Sequence, residues 1–467
     1  MKMKHAATHL SLGVLLCAGC PDSTEPDFDD AGDGNAARVD GGAVHDHDGG
    51  ELPHDGGLDE EEWDLTFQTE FGSMETLEVL TDGIFAIWWD PAFDHAADTT
   101  MMFAQLNEIR NDCLDNLGMA DPPNPAAGYY YNVYIHHGAD DLFPEGWGNG
   151  QGTDRYGMPF LTLPDGAHTS ESNLYHEGFH IFQYSANSPG FEYVGDSQWY
   201  IEATAQWYQS EQLPDDVMAF VEAGAITANP HLALWHSFSN EAPGDPTDWL
   251  YQVRQYGMHT YLFYLTSVAG VSPDIMTNGF YLGTDLSPQE YHYNQVGGDV
   301  LRGYFADWAA HNTGGLDYLT PAQVERALLE VELVGDPNNL HPYVETYVDE
   351  GTTDDWVRPS GAYTARGWAY NVVRIQNSQA ATYTFLLKGD SNGSSGTASH
   401  FEGRMVVMSP AGPSYSDLVM ADALDGEGTV TLNADDSEAF FVIVSVPEHF
   451  GGYQTFSYDY KIVRQGP

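Results

Sequence analysis

His176-Glu177-Gly178-Phe179-His180 constrains this chain more than any other stretch. Residues four apart share one face of a helix, so the segment must be helical if both imidazoles are to reach one ion. On such a helix His176 and His180 are candidate zinc ligands. Glu177 projects beside them, where it can take a proton from a water on the metal. Thr169, Ser170, Ser172 and Asn173 are N-cap candidates, and Leu174, Tyr175, Phe179, Ile181 and Phe182 supply an apolar side. The alternative is a helix that carries two ordinary core or surface histidines.

Asp196 to Glu211 reads as a second helix, with Asp196 at its N-cap and Trp199, Ala203 and Trp207 recurring at helical spacing. Glu202 lies between Ile201 and Ala203, where its carboxylate should be buried and in need of a partner. Two histidines and a glutamate around zinc leave a fourth position for water, the pattern of catalytic sites. The alternative is an ordinary helix-face glutamate. Pro189, Gly190 and Gly195 let the intervening loop turn the second helix back on the first. Gln206, one turn beyond Glu202, is a candidate to hydrogen-bond a ligand imidazole.

His176-Glu177-x-x-His180 followed by Trp199-x-x-Glu202-x-x-Ala205 resembles the gluzincin metallopeptidases. The resemblance is close over these two segments and looser across Leu65–Glu350. It implies zinc on His176, His180 and Glu202, Glu177 as general base, and a peptide or protein substrate. Ala203 stands where many members have glycine after the ligand glutamate.

The formal charge of −55 repels phosphate backbones and argues against nucleic-acid partners. It suits an exported protein in saline surroundings, or reflects a bias of the source lineage, and it leaves room for Ca2+ as a further ion. Residues 1–20 carry Lys2 and Lys4, an apolar stretch from Leu10 to Leu16, and Cys17-Ala18-Gly19-Cys20. This resembles a bacterial lipoprotein signal, cut before Cys20 and lipidated there; an ordinary secretory signal is the alternative. The resemblance implies export to the outer membrane or cell surface, with an N-terminal lipid as the sole membrane attachment. Residues 21–64 are acidic and glycine-rich and read as a disordered tether; His45, His47 and His54 within it match no metal-loop spacing. Cys113 reads as a small buried core residue.

The expected fold class is α+β: a zincin-like catalytic domain over 65–352, followed by an all-β sandwich over 353–467. Strands are expected at Ile84–Trp89, Tyr129–His136 and Met158–Pro164, with a helix between the first two from Thr99 to Leu117. The prolines flanking Met158–Pro164 mark it as an edge strand, onto which an extended peptide can add. Beyond Pro214 the chain reads as mainly helical. Trp249–Ala269 reads as one long helix, with Tyr256 and His259 as candidate oxyanion donors and Arg254 bridging to an acid. Further helices are expected around Asp299–Ala310 and Pro321–Leu333. After Thr352 alternating strand segments and Gly, Ser and Asn turns take over.

The reading that follows is zinc-dependent hydrolysis of peptide bonds by a metal-activated water with a glutamate base. The alternative is a non-catalytic surface binding or adhesion module whose metal is structural or vestigial. The motif specifies the metal and the water but not the acyl group, so other amides and esters stay open. Oligomeric state is not legible.

Overall fold

The computed structural model describes residues 77–121, 131–137, 149–153, 159–237, 253–334, 343–348, 352–353, 355–359, 364–376, 381–389, 399–416, 419–420, 426–432 and 438–465. The expected leader with Cys20 and the expected tether lie outside them. The protein is α+β and separates into two compact units. One holds the chain up to Leu106 together with 122–177; the other holds 107–121 and everything from Gly178.

The first unit is built on a five-stranded mixed sheet. Its strands are β1 (Glu78–Thr81), β2 (Phe85–Trp89), β3 (Tyr131–His136), β4 (Gly150–Thr153) and β5 (Pro159–Pro164), in the order β1-β2-β3-β5-β4. β2, β3 and β5 are mutually parallel, and β1 and β4 close the two edges antiparallel. Every residue of β2 and β3 is buried, so β2 reads as an unbroken apolar run and β3 as one broken only by Asn132 before its terminal His136. The parallel β2–β3 pair needs a crossover, and the helix Thr99–Asp115 lies in it. Met102, Leu106, Ile109 and Cys113 form that helix's buried stripe. Burial pushes the Cys113 thiol well above its ordinary range, as expected of an inert core cysteine.

The expected edge strand is misplaced. β5 is paired on both sides, with β3 and with β4, and the edge nearest the motif helix is β4. The prolines occupy the first and last residues of β5, where they leave its interior ladder intact. β4 comes from a glycine-rich stretch with no alternating apolar pattern to announce it.

The second unit begins with the C-terminal half of the motif helix (Glu171–Tyr184) and the second helix (Gln198–Gln212). Phe179 stacks on Tyr208 at a centroid distance of 4.6 Å, fixing one helix on the other. Residues Gln198 through Ser210 are all buried. Tyr200 places its hydroxyl 2.7 Å from Met276 O and 2.8 Å from His292 Nε2, tying the second helix to later ones. Residues 249–252 of the expected long helix lie outside the described residues. The rest is helical but interrupted: Arg254–Gly257, His259–Phe263, then a π-turn over Tyr264–Val268. The break sits at a close approach, since a Cβ on Gly257 would stand 2.5 Å from the Glu222 carbonyl oxygen. The last two expected helices are present as Gly298–Thr313 and Pro321–Val334.

The β-rich part forms two sheets. One is ordered β10 (Gly412–Tyr415), β9 (Phe401–Ser409), β13 (Glu438–Ser445), β7 (Ala369–Gln376), β6 (Glu345–Val348), with β11 (Val419–Met420) also on β9. The other is ordered β12 (Gly426–Leu432), β8 (Ala381–Gly389), β14 (Tyr458–Gln465). Val373 and Ile375, Tyr383 and Phe385, Phe441 and Ile443, and Tyr458 and Ile462 meet in one core between them. The Gly298–Thr313 helix lies against β9 and β13, where its Asp307 pairs with Arg404 of β9. That cover explains why β13 is buried on both faces rather than alternately.

Two outcomes follow. Gly257→Ala should lower the unfolding free energy by about 1–3 kcal/mol in urea titrations, because the added methyl meets backbone. Gly303→Ala has open space and should stabilise by up to about 1 kcal/mol through helix propensity. His292 is held down to about 3 by burial, so the folded protein keeps it neutral while the unfolded chain protonates near pH 6.5. Its contribution to stability is therefore complete above pH 6.5 and lost as pH falls below it, at up to about 1.4 kcal/mol per pH unit. His292→Gln should flatten that part of the stability–pH curve, measured by denaturation between pH 7 and 5.

Candidate metal centre

Ser170 starts the motif helix: its Oγ accepts from the Asn173 backbone N–H at 3.3 Å and its carbonyl from Leu174 N–H at 2.9 Å. This is an N-cap from the expected set. The helix then runs unbroken from Glu171 to Tyr184. His176 and His180 are thus one turn apart on a continuous helix.

His180 and Glu202 face each other within the second unit, Nε2 to Oε2 at 3.6 Å. His176, His180 and Glu202 each offer one ligand atom, all within 4.8 Å of one another. They are 8%, 0% and 4% exposed, and Glu177 is 6% exposed. Two nitrogen or oxygen ligands on one tetrahedral zinc stand roughly 3.3 Å apart, given bonds of about 2.0–2.1 Å. The His180–Glu202 separation is longer than a good hydrogen bond and close to that value. The chain has 70 acidic residues, yet among the described residues the buried acidic side chains are Glu177, Glu202 and Glu402. Two of those three belong to this group.

Gln183 orients His180. Its Oε1 lies 2.6 Å from His180 Nδ1, while its amide nitrogen donates to the Ile201 carbonyl at 3.0 Å and to Thr204 Oγ1. With the amide fixed that way, Nδ1 carries a proton and Nε2 faces Glu202. The sequence reading gave this task to Gln206, which instead donates to the Ala219 carbonyl at 2.7 Å. Gln183 lies one turn after His180 on its own helix, a spacing that could have pointed to it.

The candidate oxyanion donors sit in helix packing. Tyr256 is half-buried against Ala225 and Val253. His259 places Nδ1 2.9 Å from the Tyr256 carbonyl and its ring against Phe220. The Arg254 guanidinium donates to the carbonyls of Asn229, Leu232 and Ala233. From the same region the Gln255 amide donates to the Tyr193 hydroxyl at 3.3 Å. Burial raises the Tyr193 phenol well above its ordinary range, and the Glu202 carboxylate adds to that. Tyr193 therefore stays a protonated donor beside Glu202. It lies in the loop between the two helices, with no spacing signal to single it out.

Gln183→Leu should keep the fold and weaken zinc binding about 10–100-fold, read by chelator competition.

No protein-family model matches the chain, and no curated protein does. Among solved structures, CBM35 from Cellvibrio japonicus Abf62 is 16% identical over 25% of this chain and 78% of that one, with a TM-score of 0.15.

Proposed function

We propose that the protein is a zinc metallopeptidase of gluzincin type. The observation that carries this reading is the convergence of His176, His180 and Glu202 from two helices, with Glu177 on the same helix as the histidines. The donor set fits zinc: two imidazoles and one carboxylate, all buried, as in sites that keep a position open for water. When bound, Zn2+ supplies a Lewis acid and lowers the pKa of a water to about 7. His180 is held with Nε2 toward the ion by Gln183. Glu177 takes the proton of the attacking water on its carboxylate and delivers it to the leaving amine. Tyr193, whose phenol stays protonated, is our candidate hydroxyl donor to charge developing on the substrate carbonyl.

Substrate binding follows from β4. The strand is paired on one side only among the described residues, and Asn149 just before it donates to Asn173 of the motif helix at 2.9 Å. An extended peptide adding to β4 through main-chain hydrogen bonds would need no particular side chain, which suits a broad peptide substrate. Export as a lipid-anchored surface protein belongs to the same proposal and rests on residues 1–20 alone. Among the described residues no helix is long and apolar enough to cross a membrane.

Glu177→Gln should retain one zinc on the motif group and lower kcat/KM on a mixed peptide library by about 10²–10⁴-fold. Undiminished turnover in that variant would remove the base assignment. A parent protein that turns over peptides equally with and without a chelator would remove the metal from the reaction.

A further inference from the structure

β2, β3 and β5 are parallel and end along one edge of the first sheet, the edge at which sites of open parallel sheets collect. The segments that leave those ends carry His95 and Asp98, His137, and Asp165 and His168. Register brings them together: His136 pairs with Pro164, and Asp165 N–H donates to the His136 carbonyl at 2.8 Å. His95 and His168 are 6% and 2% exposed. One carboxylate oxygen, Asp98 Oδ2, lies 3.3 Å from His95 Nδ1 and 3.2 Å from His168 Nε2. Both rings therefore turn one nitrogen to Asp98, which leaves His95 Nε2 and His168 Nδ1 directed away from it.

Those two nitrogens face further donors. His95 Nε2 is 3.1 Å from His137 Nε2, and His168 Nδ1 is 3.7 Å from Asp165 Oδ1. His95, Asp165 and His168 each offer a ligand atom within 4.8 Å of the others. We propose that this strand edge is a second metal site, separate from the motif group, which takes a divalent first-row transition ion such as Zn2+ on His95, His168 and Asp165. Asp98 is the outer carboxylate that sets both imidazole orientations, the arrangement that commonly backs ligating histidines. Nitrogen donors select against Ca2+ and Mg2+, which take oxygen shells. Ion binding displaces two contacts, the Gly166 N–H that lies 3.2 Å from His168 Nδ1 and the His137 Nε2 that lies 3.1 Å from His95 Nε2. Asp165 is 51% exposed on its side chain, so the ion is reachable from solvent.

The test uses the full chain with His176→Ala and His180→Ala, which silences the motif group. After chelator treatment and desalting, the protein is titrated with Zn2+ alone, bound metal is counted, and thermal unfolding is followed. One Zn2+ per chain and a rise in Tm with zinc are expected. Adding Asp165→Asn, at a half-exposed side chain that the fold tolerates, should weaken that binding at least tenfold, and adding His168→Gln should remove the equivalent. Histidines elsewhere, including His45, His47 and His54, are common to all these variants and cancel. A metal-free hydrogen-bonded clasp would give the same bound zinc and the same Tm response with and without Asp165→Asn, and that result overturns the proposal. So does a parent chain that binds one ion and loses it wholly with His176→Ala and His180→Ala, a result that leaves the motif site standing. The converse, one ion retained in that double variant but none attributable to the motif group, upholds this site and removes the proposed hydrolytic one.

Discussion

The structure depends on what it costs to hold Glu202 away from water. A carboxylate removed from solvent without a partner is one of the most unfavourable things a fold can contain. Among the described residues this chain buries few of its acids. It buries Glu177 and Glu202 beside two imidazoles. Gln183 occupies the other nitrogen of the His180 ring, which turns Nε2 toward Glu202. The ligand atoms of His176, His180 and Glu202 lie close enough together that they could hold a metal ion.

The second helix exists to present that carboxylate. Every side from Gln198 to Ser210 is covered, so its position is over-determined. Polar side chains on it are spent on later segments: Trp199 on Gln289, Tyr200 on His292 and Met276, Gln206 on Ala219. The sandwich joins the same packing. Gln289 also donates to the Phe450 carbonyl, Arg302 pairs with Glu448, and Trp235 donates to the Gly452 carbonyl. Within the second unit the β-sheets therefore act as a wall for the helices that back the site, rather than as an appendage on a linker.

What was legible in the sequence was local. The motif helix, its Ser170 cap, the Glu202 helix and most sandwich strands follow from periodicities within a dozen residues. Cys113 reads correctly because its neighbours define a stripe. The failures share one physical origin, since each concerns a partner distant in sequence. β5 looks like an edge because proline lacks an N–H, but only pairing shows that its interior ladder is complete on both sides. Trp249–Ala269 reads as one long helix until Glu222 is seen against Gly257. Gln206 and Gln183 are equally plausible amides in one dimension. The choice between them is made by where the Ile201 and Ala219 carbonyls stand.

The strand-edge histidines are the extreme case. His95 and His137 are 42 residues apart and Asp98 and His168 are 70 apart, so no window contains a pattern. Their meeting is a product of register. Each strand contributes the residues just past its end, and a parallel sheet aligns those ends. If β5 slipped by one residue against β3, Asp165 would lose its bond to the His136 carbonyl, and the loop carrying His168 would be displaced from Asp98 by about 3.3 Å. One carboxylate could then no longer hold two rings. The same hydrogen-bond ladder that buries Leu161 and Leu163 in the sheet therefore fixes the geometry of the cluster. A position that could not be inferred from neighbours along the chain is set by neighbours across it.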